Sequence, residues 1–418
     1  MGLKQKINWS PIDSFDGNFS SASLALERTC PICSSSRARV ILELEDFQFY
    51  SDSSDSPKRM NLRENICLDC FTLYLNPCYS GFGFKILFDE AGQSYGSSER
   101  RPQEQIDWLL SKDQLRKGSS ILDVGCYEGS FLARLPDNIL RMGVDIDQPA
   151  IDRARANYVD QKIQFFLGDF ETFHFDAQPP DTITMFHVLE HLPRPVAVLK
   201  KLHSISSKNT KLVVEVPILE NGQTNDINGF FSAQHLTHFS RQSLHNCLAL
   251  SGWKIIDWLE QSDYNGCRVL AETLNDSRST EVVIKSNPDD FVEATDYRRH
   301  WFASLKAVED RIARFPSSKK IVVWGGGMHT EFLYQVTSFF ERNRESRFII
   351  VDSDPLKQGK TWRGVPIYSP AELDSFGWSS AMLVISSYGG QESIVKSARQ
   401  LGVPELSILR LYDSIKKY

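Results

Sequence analysis

Ile121-Leu-Asp-Val-Gly-Cys-Tyr-Glu-Gly-Ser130 is the stretch on which the fold turns. An apolar run ends in Asp123-Val-Gly125, a turn carrying Gly129 follows, and the helix-forming run FLARL comes next. Glycines at such a junction let a ligand approach the backbone at the carboxyl edge of a doubly wound sheet. Downstream, the β-rich runs RMGVDI, IQFFLG, TITMF and LVVEVP alternate with helix-like segments up to about Leu274. That alternation predicts a parallel sheet with crossover helices. Asp145 and Asp147 close the second run, where an acid suits the hydroxyls of a ribose. Asp169 and Phe170 follow the third, a carboxylate for an adenine amino group and a ring to cover the base. The glycine spacing, GCYEG from Gly125, lacks the third glycine of a nicotinamide-dinucleotide turn.

Around this core the chain is ordinary. Its 418 residues leave room for two to four domains, and 41% hydrophobic with 24% charged residues excludes a disordered or fibrous protein. Lys and Arg number 47 against 53 Asp and Glu, and a net charge of −6 argues against a surface built for nucleic acid or anionic membrane. No stretch approaches the ~20 apolar residues of a membrane span, and the start MGLKQKINWS lacks the apolar centre of a secretory signal. A cytoplasmic location is expected.

Five of the eight cysteines fall in residues 1–80. Cys30-Pro-Ile-Cys33 and Cys67-Leu-Asp-Cys70 are two CxxC knuckles, each placing two thiolates on one side of a tight turn. Together they predict a structural zinc site of four sulfurs, with no coordination position open for chemistry. Farther on, the polar stretch Ser286–Arg314 has apolar residues near helical spacing, and Pro316 follows it. The run VVWGGGMHT then opens a second strand–glycine–helix unit, with FIIVDSD and AMLVISS as further strands. His329, in that glycine turn, is a candidate contact for a substrate phosphate.

In ILDVGCYEGSFL, GVDID, GDF and MFHVLEHLPRP taken in order, the chain resembles class I S-adenosylmethionine-dependent methyltransferases. The resemblance implies that Gly125 and Gly129 border the methionine end of the cofactor, with Asp123 also in the cofactor site. By the same likeness Asp145 lies at the ribose and Asp169 with Phe170 at the adenine, and Ile146 and His187 are further cofactor-binding residues. His187-Val-Leu-Glu-His191 also spells the inverted zinc-peptidase pattern HxxEH, but it directly follows a strand instead of lying inside a long helix.

Over nearly its whole length the chain is similar to the three-domain sugar C-methyltransferases. QSYGSS, with Tyr95, resembles a run before their cofactor domain, and VDSDPLKQGK resembles a run in their last domain. SAQHLTHFS resembles their active-site run YHEHLSYFS. The family's catalytic tyrosine position is therefore Ser232 here, its glutamate position is Gln234, and its later tyrosine position is His238, while His235 is kept. The expected architecture is α/β: a zinc-binding module over 1–80, a Rossmann-like methyltransferase domain over 81–275, a helical linker over 276–315 and a second Rossmann-like α/β domain over 316–418.

The expected activity is methyl transfer from S-adenosylmethionine to a nucleotide-linked sugar or related small metabolite, at carbon by resemblance. Transfer to oxygen or nitrogen is the alternative, and a non-catalytic cofactor-binding partner protein is the alternative of another class. His235, His238 and His191 are the candidate proton-handling residues, since an imidazole is poised near neutral pH. Tyr95, Gln234 and His329 are the candidate substrate contacts. Oligomeric state stays open.

Overall fold

The computed structural model describes residues 24–49, 58–89, 101–175, 177–222, 224–229, 231–260, 265–274, 282–375 and 377–416. A seven-stranded sheet holds β1 Ser120–Val124, β2 Leu140–Asp145, β3 Ile163–Leu167, β4 Thr182–Phe186, β5 Lys211–Pro217, β6 Trp253–Glu260 and β7 Gly266–Thr273. Their order across the sheet is β6-β7-β5-β4-β1-β2-β3. Strands β1 to β5 run parallel, and β7 lies antiparallel between β5 and β6. Crossover helices cover the parallel strands, which explains their nearly unbroken apolar runs. Ile121, Leu122, Val124, Met142, Val144, Ile183, Met185 and Leu212 are all buried. Buried charges interrupt that pattern, and two of them, Glu215 in β5 and Arg268 in β7, are cross-strand partners.

The cysteine region forms a separate antiparallel sheet of Ala38–Gln48, Arg59–Cys67 and Leu73–Leu75. Its edge is completed by Thr237–His238, a two-residue strand from the loop beyond β5, paired with Leu73 and Tyr74. One end of the methyltransferase-like unit is thus stitched into the cysteine region by backbone hydrogen bonds. Arg28 reinforces the seam, donating from Nε to the carbonyl of Leu75 at 2.9 Å and from Nη1 to that of Pro193 at 2.9 Å.

The stretch expected to be a helical linker is a 27-residue helix, Pro288–Arg314. Asn287 caps it, Pro288 opens it, acids occupy its first turn and arginines its last, all favourable to the helix dipole. Its Ala294, Tyr297, Trp301, Val308 and Ile312 lie in one core with Tyr79, Phe231 and the C-terminal strands. Those strands are β8 Lys320–Trp324, β9 Arg347–Val351, β10 Thr361–Trp362, β11 Val365–Tyr368, β12 Ala381–Ile385 and β13 Ile408–Arg410. Their order is β10-β11-β9-β8-β12-β13, parallel apart from β10. A buried Arg363 fork on Glu331, at 2.9 and 2.6 Å, reaches on to the Asp46 carbonyl at 2.7 Å and ties this unit to the cysteine sheet. Among the described residues, no helix is long and apolar enough to cross a membrane.

Candidate active site

Two glycines shape the turn after β1. Gly125 has φ +79° and Gly129 has φ +77°, a region that favours glycine. A Cβ at Gly125 would stand 2.3 Å from Val188 Cγ2, and one at Gly129 would stand 2.5 Å from the Phe165 ring. Asp145, at the end of β2, fastens this turn: its Oδ2 accepts the Tyr127 N–H at 2.8 Å and its Oδ1 the Asp147 N–H at 2.9 Å. Burial pushes the Asp145 carboxyl above the usual range. Ile146 beside it is exposed, and Asp147 caps the helix Gln148–Asn157. Asp169 is exposed beyond β3 and accepts the Glu171 N–H at 2.8 Å, with Phe170 half-buried beside it. Asp123 lies deeper, accepting the Thr184 hydroxyl at 2.7 Å, and burial pushes its carboxyl up to about 7. The cofactor residues assigned from the sequence, His187 apart, therefore gather at the carboxyl edge of β1 to β3, where Val188 and the Phe165 ring stand too close to the two glycines for any side chain there.

The carboxyl edge of β4 and β5 carries a polar network. His187, at φ +56°, bridges two acids, with Nδ1 3.2 Å from Glu190 Oε1 and Nε2 3.3 Å from Glu215 Oε1. Burial lowers the His187 pKa, and the two carboxylates outweigh it, leaving the imidazole above its ordinary value. Burial likewise raises Glu190, but His187, His191 and His235 around it hold its carboxyl at about 2. Glu215 is anchored from the far side by Arg268 Nε at 2.7 Å and Gln105 Nε2 at 3.3 Å. Neither Glu215 nor Arg268 was singled out from the sequence. A charge inside each of the apolar runs LVVEVP and CRVLA was the available signal.

His191 ends the 3-10 turn Leu189–His191, and its Nδ1 lies 2.8 Å from the Gln234 carbonyl. Its ring meets that of His235 edge-on with centroids 5.0 Å apart. Burial holds the His235 imidazole well below its ordinary value, so it is neutral near pH 7. Gln234 is half-buried, and its N–H donates to the buried Ser232 hydroxyl at 3.3 Å. His238 meets the His235 ring edge-on with centroids 6.2 Å apart, but its Nε2 turns to Glu64 Oε2 at 2.9 Å, and both side chains are sealed from solvent. Tyr95 lies outside the described residues.

One loop joins this edge to the C-terminal unit. After β5 the chain passes Asp226, which lies 3.6 Å from His329 Nε2, before reaching His235. His329 also meets Ser386 Oγ at 3.1 Å and Tyr412 Oη at 2.7 Å, so it stands at the glycine turn of β8 as expected. Asp352 after β9 accepts the Gly326 N–H at 2.7 Å and the Lys357 ammonium at 3.2 Å, repeating the arrangement of Asp145.

Cys30, Cys33, Cys67 and Cys70 converge so that all four sulfurs lie within 4.8 Å of one another. Their number and type match a tetrahedral thiolate site, and three of the four are buried.

The strand order, the inserted antiparallel β7, the glycine turn and the acid after β2 are those of the class I methyltransferase fold. Residues 97–257 match the family model described as Methyltransferase domain. Over 100 residues the chain is 34% identical to a ubiquinone biosynthesis O-methyltransferase of Coxiella burnetii, covering 23% of this chain and 42% of that protein. It is 24% identical over 196 residues to a tRNA U34 carboxymethyltransferase of Alteromonas mediterranea, covering 44% of this chain and 57% of that protein. The chain thus spans less than two thirds of the length of these curated relatives. Among solved structures, the CcbJ methyltransferase of Streptomyces caelestis is similar at 14% identity and TM-score 0.37, over 45% of this chain and 95% of that one.

Proposed function

We propose that this protein transfers the methyl group of S-adenosylmethionine to a hydroxyl of a nucleotide-linked sugar or a closely related small metabolite. The observation that carries the reading is a single sheet edge on which two sets of residues adjoin. Val188, in the turn bearing Glu190 and His191, packs against Gly125 of the cofactor turn. The cofactor supplies a methyl group on a sulfonium, a strong electrophile needing little beyond a nucleophile held in line. In this reading Gly125 and Gly129 give the methionine end its space, Asp145 and Ile146 take the ribose, and Asp169 with Phe170 the adenine. His187 pins Glu190 against Glu215, so the acceptor-side residues are fixed before the acceptor arrives.

Oxygen is the acceptor atom this edge supports best. Removal of a carbon-bound proton by the resembling family's route needs a phenol and a carboxylate at positions that here hold Ser232 and Gln234. A hydroxyl needs far less activation, and His191 and His235 stand together at this edge to assist its loss of a proton. The similarity over 100 residues to an O-methyltransferase points the same way. Transfer to carbon is the second reading, favoured by the order of the three units. The nucleotide portion is assigned to the glycine turn at Gly325–Gly327, with His329 and Lys357 beside it. Zinc in the cysteine quartet is assigned a purely structural part, and the location is expected to be cytoplasmic.

Isothermal titration with S-adenosylhomocysteine tests the first step, and micromolar or tighter binding is expected. Labelled cofactor offered with a panel of nucleotide-linked sugars tests the second, the label appearing as an O-methyl group. Failure of S-adenosylhomocysteine to bind would overturn the reading, and a C-methyl product would transfer it to the second.

A further inference from the structure

Glu190, His191 and His235 present three donor atoms that all lie within 4.8 Å of one another, at the carboxyl edge of β4 and β5. Donors bound to one first-row cation at ~2.1 Å stand roughly 3–3.4 Å apart, so small side-chain rotations close the set. His191 Nε2 is already 3.9 Å from Glu190 Oε1. Two further observations point to an ion. Glu190 is 2% exposed, and while its Oε1 faces His187, its Oε2 is buried with no hydrogen-bond partner. A carboxylate oxygen in that state is costly unless something positive meets it. His191 gives the second observation: a carbonyl can only accept, so the Nδ1 facing Gln234 O carries the proton and Nε2 carries the lone pair on the side of Glu190. Metal-ligating histidines are held this way, the other ring nitrogen donating to a carbonyl or carboxylate.

We propose that Glu190, His191 and His235 bind one divalent first-row cation whose open positions take the hydroxyl oxygen of the methyl acceptor. The binding site stands on its own geometry, while its catalytic use rests on the methyltransferase reading above. Two imidazoles and one carboxylate suit a borderline cation such as zinc, cobalt, iron(II) or manganese, and three protein ligands leave room for substrate. A hydroxyl held by the cation is more acidic than a free one. Its proton passes to solvent, the oxygen bonds to the methyl carbon, and the carbon–sulfur bond breaks with its electron pair kept on sulfur. The products are the methyl ether, S-adenosylhomocysteine and one proton. Val188 links the two halves, because it directly follows His187 in the turn leading to Glu190 and abuts Gly125 in the cofactor cradle.

The test is Co2+ added to the full-length chain carrying one equivalent of zinc, enough for the cysteine quartet alone, followed by its visible spectrum. A site of nitrogen and oxygen donors gives weak visible bands, whereas exchange into the cysteine quartet gives an intense sulfur-to-metal band in the near ultraviolet. One equivalent showing the weak bands is expected, weakened at least tenfold by Glu190→Gln and by His235→Ala, with S-adenosylhomocysteine affinity held within threefold. Absence of the weak bands, appearance of the sulfur band alone, or uptake unchanged in both variants overturns the proposal. Failure of the methyltransferase reading shows differently, as loss of S-adenosylhomocysteine binding with cobalt uptake intact.

Discussion

His238 Nε2 lies 2.9 Å from Glu64 Oε2, and neither side chain has any solvent exposure. The two residues come from different units. Glu64 belongs to the cysteine sheet, while His238 belongs to the loop that carries His235 towards the cofactor edge. A buried imidazole and carboxylate that meet only across this seam hold the loop in register with the sheet. Although the sequence marks His238 as a candidate base, this placement suits it to positioning its neighbour. Glu64→Ala should destabilise the fold by about 1–3 kcal/mol, the cost of leaving a buried polar partner unmet. A lowered urea midpoint with unchanged S-adenosylhomocysteine affinity is the expected result, and an unchanged midpoint would refute the role.

Asp123 gives a pH-dependent prediction whose sign follows from its environment. Burial raises its carboxyl to about 7 in the folded protein, against an ordinary value near 4. The folded state therefore binds this proton more tightly than the unfolded state. Its contribution to stability is fully present below about pH 4, falls as pH rises, and is lost above about pH 7. Asp123→Asn keeps an oxygen to accept from Thr184 and removes the charge. The variant should melt higher than the parent at pH 8 and by a much smaller margin at pH 5. Parallel melting curves across that range would contradict the assignment.

Lys357 tests the part given to the C-terminal unit. Its ammonium is 3.2 Å from Asp352 and 3.2 Å from where a Cβ of Gly327 would be, at the start of the helix Met328–Val336. A cation beside a helix N-terminus suits a diphosphate. Hydrogen bonds to charged groups are worth about 1.5–3 kcal/mol, so Lys357→Ala should weaken uridine diphosphate binding tenfold or more. Calorimetry reads this directly, and equal affinities in parent and variant would remove the diphosphate from this turn.

The sequence carried the cofactor half of the site because that half is local. Gly125 and Gly129 sit in one turn, and Asp145 and Asp169 close the next two strands, so chain order alone brings them to one edge. The half proposed for the acceptor is assembled from distant segments. Glu190 and His235 lie in separate loops, Glu215 reaches His187 from the neighbouring strand, and Gln105 approaches from a helix before the sheet. Pairing of Leu73 with His238 has no local signature, since two residues are too few for a strand pattern. What did show in the sequence was incongruity: Glu215 and Arg268 are charges in runs that otherwise read as buried strand. The C-terminal unit was read from the same strand–glycine–helix rhythm as the first.

The same seam makes the cysteine quartet matter at a distance. Cys67 ends the strand Arg59–Cys67, which pairs with Leu73–Leu75, which pairs with Thr237–His238, two residues past His235. Leu236 continues the link, donating its N–H to the Glu190 carbonyl at 2.8 Å and accepting the Leu75 N–H at 3.0 Å. A structural metal fixes the fold of a small region that has little core of its own. Cys67→Ser should therefore lower bound zinc by one equivalent per chain by mass spectrometry. Through the loosened strand it should cut methyl-transfer turnover at least tenfold while leaving S-adenosylhomocysteine affinity within threefold, because the cofactor turn hangs from β1 and β2. Zinc content unchanged from the parent would refute the metal assignment. Zinc loss with full turnover would show instead that the loop bearing His235 holds its place without the quartet.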